Sequence, residues 1–230
     1  MQNKVQRKRE ILKTLKQIGY TNQAGSRSIV SKLNNDLISY FVVEAPTVLI
    51  YVWFAVYPAY MPPFPFPGFL PYAERLNDSA SPDFAFSMDD DDSVTLQTLE
   101  KLKQHIVTVI EPMLEIASTK NKNVEGLCNL RDRGIIRFTP SAYHRLKMYQ
   151  ALFNGDYSDA LFSMDMYLKA ISSGMYTKRV VENAIAEVEP IEALIKANDA
   201  IAISYILDSN RELNCKAYGI KMQTKSEKFS

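Results

Sequence analysis

Two cysteines, two histidines, one tryptophan and eight glycines are few for a chain of 230 residues, and each scarcity removes a class of function. Cys128 and Cys215 cannot build a disulfide framework and are not spaced as a metal-binding pair, so they read as reduced thiols of a cytoplasmic protein. His105 and His144 lack an HExxH spacing and a cysteine partner, and no metal site is expected. The glycines form no GxGxxG, GxxxxGK[ST] or G-x-S-x-G pattern. The familiar loops for dinucleotides, triphosphates and acyl transfer are therefore missing, and no cofactor is expected. With 27 basic against 26 acidic residues the net charge is only +1, and no zinc-finger or RNA-motif spacing occurs, so nucleic acid is not an expected partner. Long apolar runs are missing too. The longest, Val48 to Val56, meets Tyr57 and Pro58 well short of the ~20 residues a membrane helix needs, so no membrane association is expected. Charges from Lys4 to Lys16 interrupt the N-terminal region where a signal peptide would be apolar.

What remains is a chain with 47% hydrophobic residues, enough to bury a core without staples. Ile11, Leu12, Leu15 and Ile18 recur at helical spacing opposite lysines and arginines, which predicts an N-terminal helix ended by Gly19. Residues 28–30, 37–43 and 48–57 are β-branched and aromatic and are separated by turn residues, which predicts a three-stranded antiparallel meander with the third strand covered on both faces. Six prolines between Pro58 and Pro71 exclude a ladder there. Residues 82–88 add a candidate fourth, edge strand. A helical period then runs from Ser93 to Ala117, with a kink expected at Pro112. Residues 121–134 are polar, contain two glycines and read as a linker. Beyond it, helices are expected over 141–153, 156–173, 177–197 with a break at Pro190, and 198–217, before a frayed tail at 221–230. The fold class is α+β: an antiparallel sheet packed by the N-terminal helix and the long helix (1–120), followed by an all-helical domain of hairpins (135–220).

Several constellations could carry function. Asp89, Asp90, Asp91 and Asp92 form a carboxylate run directly before a helix, where the dipole favours negative charge; the run is also a candidate docking patch for a basic partner. It lacks the interleaved acids and glycine turn of a calcium loop. Phe64, Phe66, Phe69 and Tyr72 stand among prolines, and rigid aromatics of this kind suit an interaction surface, or else fold back onto the sheet. Glu111 and Glu115 are spaced one helical turn apart, as paired carboxylates would be, although the same spacing arises by chance on most exposed helix faces. The six bases among residues 1–20 read as the wet face of the first helix.

Leu15-Lys16-Gln17-Ile18-Gly19-Tyr20, then Val52-Trp53-Phe54-Ala55-Val56-Tyr57-Pro58, then Glu74-Arg75-Leu76 together resemble the bacterial family catalogued as domain of unknown function 4304, over residues 5–115. Some relatives of that family stand beside secreted toxins as immunity proteins, so the resemblance implies a small inhibitor that binds a toxin, and it carries over no catalytic residue. Leu152 to Ala160, with Gly155-Asp156 at a turn, resembles one helix–turn–helix join of tetratricopeptide-like repeats.

The reading these features support is non-catalytic binding of a protein partner through Phe64, Phe66, Phe69, Tyr72 and Asp89 to Asp92. Its rival, from a different class, is an enzyme or small-ligand binder using a cleft between the two halves, near Tyr143, His144, Arg145 or His105.

Overall fold

The computed structural model describes residues 4–24, 28–46, 48–63, 72–76, 84, 86–87, 89–119, 122–173 and 176–222. The protein is α+β. Helix α1 (Lys4–Gln17) leads into β1 (Asn22–Gln23), β2 (Ile29–Asn34), β3 (Leu37–Glu44) and β4 (Leu49–Pro58), then the short β5 (Ala73–Arg75) and β6 (Phe86–Ser87). The sheet is antiparallel in the order β1-β2-β3-β4-β5, and β6 also pairs with β4. The apolar stretch is thus an interior strand, bonded to β3 on one side and to β5 and β6 on the other. Of the edge strand anticipated over 82–88, the described residues Phe86 and Ser87 form β6.

Because side chains alternate along a strand, β3 and β4 each feed two layers. On one face Phe41 lies opposite Phe54 and meets Tyr20 edge to face; Tyr20 follows α1, whose Ile11 and Leu15 are fully buried. On the other face Tyr40 meets Tyr218, and Tyr57 faces Tyr72, so this side is closed by the C-terminal helices. Burying both faces is what an unbroken apolar strand requires.

The long helical run departs from expectation in an instructive way. α2 (Asp92–His105) passes into a π-helical turn (Ile106–Ile110) before α3 (Glu111–Ala117). Glu111 donates its N–H to the carbonyl of Ile106, five residues back. Pro112 has no N–H, and its ring crowds the carbonyl four residues back, so the register widens upstream of it rather than at it.

Residues 123–132, within the stretch the sequence suggests as a linker, form α4 (Asn123–Asp132), with Leu127 and Leu130 fully buried. Four longer helices follow: α5 (Pro140–Asn154), α6 (Tyr157–Ser172), α7 (Lys178–Lys196) and α8 (Ala200–Ala217). The α5–α6 turn matches its sequence: Gly155 sits at φ 76° as the C-cap and Asp156 accepts the N–H of Asp159 at 3.1 Å. The break anticipated at Pro190 does not occur. α7 continues through it, because Ala184, Val188, Ile191 and Ile195 make one buried stripe whose packing outweighs a lost hydrogen bond.

The helical half is bolted to the sheet. Asn214 on α8 is buried and donates to the carbonyls of Ala59 and Met61 at 2.8 and 2.7 Å, Asn210 donates to Tyr60 at 3.1 Å, and Ser31 Oγ donates to Tyr218 at 2.9 Å. Tyr60 stacks on Phe153 and its hydroxyl donates to Asn123. A single buried cluster runs from Ile11 to Ile220 through all these elements. No helix among the described residues is long and apolar enough to cross a membrane.

Candidate functional site

The acidic run forms a turn between β6 and α2. Asp91 is the N-cap: its carboxylate accepts the N–H of Val94 at 2.9 Å and the hydroxyl of Ser93 at 2.7 Å. These bonds hold its pKa below the usual carboxylate value. Asp90 accepts the N–H of Ser87 at 2.8 Å. Beneath the turn lies Arg7 of α1, fully buried, donating to the backbone carbonyls of Ser87 and Asp90. One of the six N-terminal bases is therefore not on the wet face at all; it fastens the acidic turn to the body of the protein. Asp89, Asp91 and Asp92 remain exposed and Asp90 is half-buried.

Of the aromatic candidates, Phe64, Phe66 and Phe69 lie outside the described residues. Tyr72 is a core residue rather than an interaction surface: it is 1% exposed, and its hydroxyl donates to the carbonyl of Ala142 at 2.9 Å. Its flat ring fits between Tyr57 and Phe138, which is why it packs inward.

The residues of the rival reading do not converge on one place. His105 packs at a tilt against Phe84 at a ring separation of 5.0 Å, near the end of α2, whereas Tyr143, His144 and Arg145 belong to α5. Arg145 points inward, where Nε meets Glu187 Oε1 of α7 at 2.7 Å among Tyr57, Tyr72, Tyr149 and Tyr167. Burial raises the Tyr167 phenol to about 12, with the Glu187 charge adding and Arg145 opposing. Burial likewise raises Tyr57, Tyr72 and Tyr149 well above their ordinary values, so all four phenols are neutral donors near neutral pH. This arrangement holds a positive charge between α5, α7 and the end of β4. No local pattern announces it, since the ion pair joins residues 42 positions apart.

A third polar constellation, in part anticipated through Glu111 and Glu115, lies on the sheet face opposite the C-terminal helices. Glu111 accepts the hydroxyl of Tyr20 at 2.7 Å and pairs with Lys32 of β2 at 2.5 Å. Asn35, at φ 53° in the β2–β3 turn, donates to the carbonyl of Ser118 at 3.1 Å. Between these two ties runs an open groove. Among the described residues no group of three or more His, Cys, Asp or Glu side chains is placed to hold a metal ion. Cys128 is half-buried and Cys215 buried, both free, with burial raising both thiols and keeping them protonated.

Comparison of the chain with protein-family models, curated proteins and solved structures finds no match.

One pH response follows from His105. Burial lowers its pKa in the folded state, so the unfolded chain binds the proton more tightly. This contribution to stability is complete above the unfolded value of ~6.5 and is lost as pH falls from there through the depressed folded value. Urea unfolding followed from pH 7 downward is expected to show this decline, and His105→Gln is expected to flatten it in part, because burial also lowers the His144 pKa and adds a decline of the same sign. An unchanged slope in the variant would assign the decline to other groups.

Proposed function

We propose that the protein is a non-catalytic binding module for a basic protein partner, acting in the cytoplasm, with the Asp89–Asp92 turn as the first point of encounter. The observation that carries this reading is the fastening of the turn. Its backbone is held by the buried Arg7 guanidinium, by the Asp91 cap and by the Ser87–Asp90 bond, while three of its four carboxylates face solvent. A charged surface already held in shape loses little entropy on docking, and clustered charge raises the encounter rate.

The resemblance of residues 5–115 to the domain-of-unknown-function family supports a narrower form, in which the partner is a toxin and the protein its immunity factor. Phe64, Phe66 and Phe69, three aromatics within six residues, would then supply the apolar part of the contact.

The test is capture of a partner from host lysate on the immobilised chain, followed by association kinetics with the identified protein. Asp89→Asn/Asp92→Asn, which leaves the Asp91 cap in place, is expected to slow association about tenfold at low salt and much less at high salt. A rate insensitive to both salt and the double substitution would overturn the reading, as would rescue from a neighbouring toxin that the variant leaves intact.

A further inference from the structure

The groove beside Lys32 is enclosed on one side by the end of β2 and its turn (Lys32, Asn34, Asn35) and on the other by the π-helical turn and α3 (Val107, Pro112, Glu115), with a volume of about 550 Å³. Its walls are tied together by the Lys32–Glu111 pair and the Asn35–Ser118 hydrogen bond, so the space is held open by rigid elements. The π turn forms part of one wall, and such turns recur at functional positions.

The groups in the groove have a consistent bias. Glu111 has one oxygen on Tyr20 and the other on Lys32, whose ammonium balances its charge. Glu115 is exposed and has no ion pair among the described residues. Asn35 uses its amide N–H on Ser118, which leaves its side-chain carbonyl as an acceptor. The continuous helical run ends at Ala117 and adds partial negative charge at the same end. Two carboxylates against one ammonium, with acceptors left over, select a ligand that is cationic and rich in N–H donors. Val107, 48% exposed, and the exposed ring of Pro112 supply an apolar strip beside them, suited to an alkyl stem.

We propose that this groove binds an alkylammonium or alkylguanidinium group, its charged head on Glu115 and the outer edge of Glu111, its methylenes along Val107 and Pro112. The two sources of that chemistry are a free polyamine and a lysine or arginine side chain presented by a polypeptide. The site is independent of the acidic turn, and neither reading depends on the other.

Isothermal titration of the full chain with spermidine, and separately with the blocked tripeptide acetyl-Gly-Arg-Gly-amide, tests the assignment. At least one is expected to bind saturably; spermidine alone identifies a free amine, and the tripeptide alone a presented side chain. Glu115→Gln, an exposed change that leaves the core untouched, is expected to weaken the bound probe about tenfold. Glu212→Gln, an exposed acid on α8, is expected to leave it unchanged and so separates the groove from diffuse charge attraction. Saturable binding of neither probe, or equal loss in the two variants, would overturn the proposal.

Discussion

Replacing Glu187 by alanine is expected to destabilise the protein by about 3 kcal/mol, the low end of the range seen when one partner of a buried ion pair is removed. The pair is well shielded: the Arg145 and Glu187 side chains are 13% and 20% exposed and meet at 2.7 Å. Without the carboxylate, the guanidinium remains among neutral phenols that do not balance its charge. Chemical denaturation measures the loss. The same experiment on Arg145→Met/Glu187→Leu discriminates between causes, because removing both charges removes the uncompensated one. The double variant is expected to recover most of the stability, and a single substitution costing less than ~1 kcal/mol would show that water reaches the pair.

Gly126→Ala is expected to cost at the upper end of the ~1–3 kcal/mol typical of overpacking. A Cβ built on Gly126 falls 2.2 Å from Ala117 Cα and 2.3 Å from Ala117 Cβ, where α4 crosses the end of α3. Neither atom belongs to a flexible side chain, so the clash is relieved only by moving one helix off the other. The sharper measurement sets Gly126→Ala beside Asn129→Ala, at an exposed position of the same helix, which is expected to cost little because its side chain faces solvent. Equal losses at the two positions would place the damage elsewhere.

Sequence alone made some parts of this fold legible and not others, and the division follows the range of the interactions. The β2–β4 meander could be read because its apolar runs and the Asn34-Asn35-Asp36 turn are local signals. The α5–α6 turn could be read for the same reason, from Gly155 and Asp156. Pro190 misleads because propensity is local and the stripe from Ala184 to Ile195 acts through packing. α4 was masked by its polar composition: Leu127 and Leu130 are its fully buried apolar side chains, and Gly126, normally a helix breaker, is there for a helix crossing.

The candidate sites divide in the same way. The acidic turn is visible as composition, but the buried Arg7 under it lies more than 80 positions away and looks like one more charge on an amphipathic helix. Tyr72 looks like a partner of the nearby phenylalanines until its contacts with Tyr57, Phe138 and Ala142 place it inside. Glu111 and Glu115 can be picked out by spacing; that they face Lys32 and Asn35 across a groove depends on how β2 packs against α3.

The bond from Ser31 to the carbonyl of Tyr218 joins residues 187 positions apart, and Tyr40 is covered by the same tyrosine. As a ribosome releases the chain, the meander emerges with one side still bare, and Tyr218 follows only 187 residues after Ser31. Closure over such a separation is slow, and an uncovered apolar sheet attracts other chains in the interval. The interval before α8 arrives is therefore when this sheet face is most open to association with other chains.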